Sequence, residues 1–371
     1  MVKLEKNIKL QERIKEFEEE LKTTKYNKRT QGAVGLLKAK IARLKDKQKK
    51  RASKGSRSDG YSVKKSGNAT VLLVGFPSVG KSTLLNSLTK TNSPVGSYEF
   101  TTLSVIPGLL EYKHAKIQIL DVPGIVKGAA SGKGRGREVL AVAGNADLVI
   151  TLVDVFNLKH LEIVKDEIYE ANIRLNAIKP IIKIKKKSKG GISIGSTVKL
   201  NNIDHKSIKN ILREFRIANA DVVIRSDITA EQLIDSIEGN KHYIPGITVL
   251  NKIDMVPKKQ LNKIKKIIKP DLCISADKNI NIDELKDIIF NKLNFIRIYC
   301  KEISKKADLK EPVILFANAT LKDLCLKLHK DFIKKFKFAR IWGKSSKFDG
   351  QKIRKLHHVL RDNDIVEVRI S

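Results

Sequence analysis

Residues Gly75–Ser82 read GFPSVGKS and fit the spacing G-x-x-x-x-G-K-[ST]. That spacing suits phosphate chemistry. Gly75 and Gly80 let the backbone through Pro77, Ser78 and Val79 curl, so that main-chain N–H groups surround an anion. A helix starting near Lys81 would aim its positive end at the same anion. Lys81 reaches the outer phosphates, the Ser82 hydroxyl can ligate Mg2+, and Thr83 completes the set in the first helical turn. Further along, Asp121-Val122-Pro123-Gly124 follows the strand-like KIQIL. An aspartate there can hold magnesium through water, and the Gly124 amide can meet a γ-phosphate. Asn251-Lys252-Ile253-Asp254 follows ITVL. The Asp254 carboxylate can accept both N–H donors of a guanine edge, and the Lys252 stem can lie over the base. A buried carboxylate would reject adenine, because its acceptors would stay unpaired. Ser275-Ala276 after LCI offers a backbone amide to the base oxygen. In this order the four segments describe a guanine-nucleotide site.

Such residues must stand at the ends of buried strands. Thr70–Gly75 (TVLLVG) is an apolar run of buried-strand length, followed by a glycine turn and a helical pattern over Ser82–Thr89. Lys116–Leu120, Leu148–Val153 and Ile247–Leu250 are further strand candidates, separated by helical segments. That alternation predicts an α/β domain with a mostly parallel sheet, spanning 68–308. Within it, about 173–246, the pattern changes. Ile181–Lys187 alternates Ile with Lys, Gly190 and Gly191 make a turn, Ile192–Leu200 is strand-like, and Asp204–Glu214 is a polar helix. The spacing predicts a small α+β insert. The lysines of Lys183–Lys189 suit either an edge strand guarded against pairing or contact with RNA.

Before residue 68, Ile14, Phe17 and Leu21, then Leu37, Ile41 and Leu44, recur at helical spacing. They predict a helical hairpin joined near Tyr26–Gly35, with Lys49–Gly67 as a basic linker, all within 1–67. From Leu309 to Ser371 the strands Pro312–Phe316, Ala339–Trp342 and Ile365–Ile370 surround a helix opened by a Thr320–Asp323 capping box. One helix on a sheet suggests a β-grasp-like domain. Trp342 reads as a packing residue. The adjacent His357 and His358 diverge in direction and have no Cys or carboxylate companions, so they read as surface histidines.

Composition narrows the partners. Lys and Arg number 74 against 40 Asp and Glu, a formal net charge of +34, while 41% of residues are hydrophobic. The apolar share is enough for a core and excludes a disordered chain. No run approaches the ~18 apolar residues of a membrane span, and Met1–Lys9 lacks the apolar stretch of a secretory signal. Cys273, Cys300 and Cys325 have neither an even count nor zinc spacing, which fits a reducing, cytoplasmic setting. The charge should draw the chain to a polyanion. It gathers over Leu21–Gly67, where only Asp46 and Asp59 oppose the cations.

These motifs resemble the translation-factor-related P-loop GTPases, and among them the Obg-like group and the developmentally regulated GTP-binding (DRG) family. Tyr98–Leu103 (YEFTTL) resembles the family's first switch, which implies Thr102, or else Thr101, as a magnesium ligand. Asp121–Asp154, glycine-rich and long, resembles the second switch. Lys28–Leu44, with GLLKAKIARL, is similar to the basic N-terminal element, and KFARIWGKS with HHVLRDNDIVEV resembles a TGS domain. The resemblance implies GTP hydrolysis to GDP, Mg2+ held by Ser82, Thr102 and Asp121, and Lys81, Thr102 and Gly124 as the catalytic set. It also implies a ribosome or other structured RNA as partner, along with a regulatory protein partner. Ile125 stands where Ras-like enzymes use a water-orienting Gln, so intrinsic turnover should be slow. Relatives with an apolar residue here often use K+, ligated by a phosphate-loop Asn. Here Ser78 holds that position. Arg135 and Arg137 read as solvated loop charges. The contrasting reading is a regulatory switch acting on a protein partner or an anionic membrane, without RNA. The first hundred residues offer Phe17 but no Trp, and neither end carries a lipidation signal to support the membrane version.

Overall fold

A computed structural model describes residues 2–25, 27, 30–53, 67–89, 106–121, 144–302, 305 and 307–370. The chain opens with helices α1 (Val2–Thr23) and α2 (Gln31–Ser53). An α/β run follows: β1 (Ala69–Val74), α3 (Lys81–Leu88), β2 (Ile106–Tyr112), β3 (Ala115–Asp121), β4 (Leu148–Asp154), α4 (His160–Glu170) and β5 (Ile173–Leu175). The insert holds β6 (Ile182–Lys186), β7 (Ile192–Ser196), α5 (His205–Glu214), β8 (Ala220–Ile224) and α6 (Ala230–Glu238), and β9 (His242–Ile244) closes it. The first pattern resumes with β10 (Gly246–Asn251), α7 (Lys258–Ile268), β11 (Leu272–Cys273) and α8 (Ile282–Lys292). Last come β12 (Phe295–Cys300), β13 (Val313–Phe316), α9 (Leu321–Leu328), α10 (Asp331–Lys334), β14 (Phe336–Trp342), β15 (Gln351–Ile353) and β16 (Asp364–Ile370).

The chain divides into two compact units, residues 62–176 with 244–371, and residues 1–61 with 177–243. In the first, six strands order as β11-β10-β4-β1-β3-β2, all parallel except for β2 against β3. Every residue of β1 and β4 is buried, as expected for central strands covered on both faces. Alternation divides their side chains. Val71 and Leu73 pack with Leu84 of α3 and Leu285 of α8, while Leu72 and Val74 pack with Val164 and Ile168 of α4. The strand β2 is not evident from sequence, because Pro107 and Gly108 look like breakers. An edge strand tolerates the proline. Gly108 is needed because a Cβ there would stand 2.7 Å from side-chain atoms of Leu85 and Thr89.

The same unit carries a second sheet, β13-β12-β16-β14-β15, in which only β12 and β16 run parallel. Leu321 and Leu324 of α9 pack against Ile298, Ile341 and Val366, the one-helix-on-sheet arrangement expected of a β-grasp. The Thr320–Asp323 capping box is present. This sheet starts at Phe295, before the change of composition at Leu309, since β12 finds its partner in the distant β16.

In the other unit, β6, β8 and β7 form a three-stranded sheet with β8 in the centre. Its inner face packs Val222 and Ile224 against Ile208 and Ile211 of α5 and Leu233 of α6. Ala39 of α2 is fully buried in the same core. Ion pairs join α2 to these helices, Lys38 to Glu231 at 2.5 Å and Arg43 to Glu214 at 2.7 Å. The hairpin and the insert, separate in sequence, therefore share one hydrophobic core. Two sequence boundaries move. α2 begins at Gln31, within the expected joint, and runs to Ser53, into the expected linker. Lys, Arg and Ala are good helix formers, so the helix outlasts its apolar stripe. The rest of the linker, 54–66, lies outside the described residues.

Candidate nucleotide site

β1 ends at Val74 and α3 begins at Lys81, so residues 75–80 form the loop between them. Two glycines are dictated by space. A Cβ on Gly75 would stand 2.5 Å from the Leu152 carbonyl oxygen of β4, and one on Gly80 would stand 2.5 Å from Asn251 Nδ2. Gly80 also has φ 94 and Ser78 φ 63, the left-handed conformations that curl the loop. Pro77 and Ser78 are exposed and Val79 is buried. Gly80 caps α3 with no side-chain hydrogen bond, which leaves the first-turn N–H groups for a ligand. Ser82 and Thr83 sit exposed in that turn.

Lys81 is buried, and its Nζ donates to the carbonyls of Gly75 at 3.1 Å and Phe76 at 3.0 Å. Burial lowers its pKa, while the Asp121 carboxylate nearby pulls it up. Ser82 Oγ donates to Asp121 Oδ2 at 2.7 Å. Asp121 Oδ1 is buried with no hydrogen-bond partner among the described residues. A hydroxyl and a carboxylate with an unspent oxygen form an oxygen-only donor set, which fits a hard cation such as Mg2+.

The Asn251–Asp254 segment is tied directly to this loop. Asn251 is 2% exposed; its Nδ2 donates to the Val79 carbonyl at 2.9 Å, and its Oδ1 accepts from the Ala276 N–H at 3.0 Å. Lys252, at φ 65, donates from Nζ to the Ser78 carbonyl at 2.7 Å. Ser275 is fully buried, and its Oγ accepts from the Lys278 N–H at 3.2 Å. Asp254 follows in a short 3-10 turn, Ile253–Met255. It is exposed and makes no hydrogen bond or ion pair among the described residues. The sequence argument expected a buried carboxylate. The strand end places it at the surface, where a bound base would itself provide the cover.

Two residues that the sequence reading passed over support this end. Asp154 pairs in register with Asn251 across β4 and β10 and lies 3.8 Å from Lys252 Nζ. Its other oxygen accepts from the N–H groups of Phe156 and Asn157 at 3.1 and 2.9 Å. A carboxylate closing an apolar parallel strand was the available signal, since ligands in such sheets gather at the carboxyl ends of strands. Ser87 of α3 donates to the Ala276 carbonyl at 2.8 Å and so fixes the last loop from below. No sequence pattern marks it.

Thr102 and Gly124, the switch stretches Tyr98–Leu103 and Gly124–Val139, and Ile125, Arg135 and Arg137 all lie outside the described residues. Among the described residues no group of three or more His, Cys, Asp or Glu comes together as a metal site, and the three cysteines are free. His357 is exposed and His358 half-buried. Trp342 lies under Lys301 Nζ, 4.5 Å from the ring centroid.

A glycine-bound loop between strand and helix, a hydroxyl–carboxylate pair beside it and an exposed carboxylate just past a neighbouring strand end, all on one largely parallel sheet, define a P-loop GTPase fold. The family model described as "50S ribosome-binding GTPase" matches residues 70–187, one for the C-terminal region of that domain matches 189–295, and the TGS domain matches 299–370. A GTP-binding protein of Methanocaldococcus jannaschii is 52% identical over 98% of this chain and 93% of its own length. Developmentally-regulated GTP-binding protein 1 of Xenopus laevis is 45% identical over 96% of this chain and 98% of its own length. Developmentally-regulated G-protein 3 of Arabidopsis thaliana is 43% identical over 97% and 98% respectively. The chain belongs to the developmentally regulated GTP-binding protein family.

Proposed function

We propose that the chain binds GTP with Mg2+, hydrolyses it slowly to GDP and phosphate, and uses the nucleotide state to gate attachment to the ribosome or another structured RNA in translation. The observation that carries the nucleotide reading is Asn251. One buried side chain links the phosphate loop at Val79 to the base loop at Ala276, so both ends of a nucleoside triphosphate face a single hydrogen-bonded frame. In this reading Lys81 exchanges its loop carbonyls for β- and γ-phosphate oxygens. Asp254, supported by Lys252, reads guanine. Ser82, Thr102 and Asp121 would hold Mg2+, which when bound supplies charge neutralisation at the phosphates. Gly124 and Thr102 sense the γ-phosphate, and Ile125 leaves the attacking water without a side-chain partner. A K+ near Ser78 is the proposed aid to turnover.

The RNA reading rests on the family description and on the net charge of +34. No described helix is long and apolar enough to cross a membrane. A regulatory protein partner belongs to the same proposal.

Co-sedimentation with ribosomes in GDP, in a non-hydrolysable GTP analogue and without nucleotide, across a salt series, tests the gating. Tighter binding with the analogue is expected. Equal binding in all three states would reduce the interaction to polyanion attraction. Turnover compared in potassium and sodium salts at equal ionic strength checks the cation, and equal rates would remove it.

A further inference from the structure

The sheet β6-β8-β7 has two unlike faces. Ile182, Ile184, Ile192, Ile194, Val222 and Ile224 line the face that packs on the helices. On the opposite face β6 presents Lys183 and Lys185, and Lys187 continues the alternation past the strand end, all exposed. The register sets Lys183 in a row with Val223 and Gly195, and Lys185 in a row with Asp221 and Ser193. Arg225 extends the face beyond β8, where its N–H donates to the Ile181 carbonyl at 2.9 Å. Ser193 and Gly195 are exposed, and nothing stands within 4 Å of a Cβ built at Gly195. The result is a ridge of cations beside a low floor.

Lysines on an edge strand also deter strand pairing, and β6 is an edge. That role needs charge only along the edge. Here Arg225 stands at the end of the central strand, and the far strand presents only the small residues Ser193 and Gly195 on this face. Outward side chains two residues apart on a strand are separated by about 6.7 Å. That interval is comparable to the step between successive phosphates of a nucleic-acid strand. Asp221 is the one acidic group among these face residues, and it is held by Lys187 at 2.6 Å. A partner that follows this face therefore meets Lys183, Lys185 and Arg225 as cations with no acidic partner among the described residues, and Lys187 as one already neutralised.

Building on the RNA reading above, we propose that this face of the insert sheet is a docking surface for the phosphate backbone of structured RNA, with Lys183 and Lys185 as its principal contacts. Recognition of this kind follows backbone shape and charge, without base readout. Asp221 limits the attraction, so binding stays sensitive to fit.

The test uses the full chain loaded with a non-hydrolysable GTP analogue, binding purified ribosomes and a base-paired RNA hairpin across a salt series. Lys183→Glu with Lys185→Glu is compared with Lys263→Glu plus Lys266→Glu on α7, which makes the same change in net charge elsewhere. The first pair should weaken binding roughly tenfold or more and flatten the salt slope by about two. The α7 pair should leave the slope within one unit of wild type, and Asp221→Asn should tighten binding. Unchanged guanine-nucleotide affinity and melting temperature show that each variant is folded. Equal losses from both pairs would mean net charge alone acts and would overturn the proposal. So would full binding by the Lys183/Lys185 variant, which leaves the RNA reading standing. Failure of the wild type to bind either RNA would overturn both readings. Binding of phosphatidylserine vesicles, lost with Lys183 and Lys185, in place of RNA would assign the face to a lipid surface instead.

Discussion

At the residue scale, the proposed base-recognition motif divides into a reader, Asp254, and a brace, Asn251. The Asp254 carboxylate is exposed and uncommitted among the described residues, whereas both polar ends of Asn251 are spent inside the protein. Their substitutions should therefore fail differently. In Asp254→Asn, an amide faces the N1–H and exocyclic NH2 of guanine with a donor of its own, while xanthine offers an oxygen there. GDP affinity should fall by about 1–3 kcal/mol, XDP affinity should rise, and the melting temperature without nucleotide should hold. Competition between GDP and XDP measures the first, and an unaltered preference would remove Asp254 from base reading. Asn251→Ala should lower the melting temperature as well, since the Val79 carbonyl and the Ala276 N–H lose a buried partner. The motif itself was legible because its spacing is local. The brace was not, because its two partners arrive from segments far away along the chain.

At the element scale, strands that bury both faces announced themselves. LVITLV is apolar but for Thr151 and became the central β4, which closes on Asp154. Elements defined by their partners did not: β2 hides behind Pro107 and Gly108, and β12 is assigned to the C-terminal sheet only by pairing with β13 and β16. One side chain locks that assignment. Asp362 accepts from the Arg297 backbone N–H at 2.7 Å, Nε at 3.1 Å and Nη2 at 2.7 Å, which ties β12 to the turn before β16. The guanidinium hydrogen bonds hold the Asp362 carboxyl below its ordinary range, and burial only partly opposes them. A folded pKa below the unfolded ~3.9 means the stabilisation is complete above that value and is lost as pH falls through the lower folded one. Asp362→Asn should thus lower the melting temperature near neutral pH, with the difference from wild type shrinking as pH drops below about 4. A difference that stays constant through that window would show that the carboxylate's charge is not what joins the two strands.

At the scale of the whole molecule, the net charge of +34 was legible at once, but its distribution over folded bodies was not. Sequence order assigns the basic hairpin and the lysine-rich insert to separate places, yet residues 1–61 and 177–243 form one unit around a common core. From sequence each piece reads as its own element, a helical hairpin and a small α+β insert, so only tertiary packing reveals the pairing. Ala39 tests it, being wholly buried between α2 and the insert core, where α2 also reaches Glu231 and Glu214 through its own cations. Ala39→Asp places an unpaired carboxylate in that core, a change expected to cost several kcal/mol. Limited proteolysis should then cut within 177–243, far from the substitution in sequence, while guanine-nucleotide affinity, carried by the other unit, stays within about threefold of wild type. If cleavage stays confined to the hairpin, the two pieces fold independently and the shared core contributes little. If the insert opens with it, loss of RNA binding on removing the N-terminal helices will not by itself place the RNA on those helices. The lysine face of β6 would collapse at the same time, and only surface substitutions such as those at Lys183 and Lys185 would separate the two.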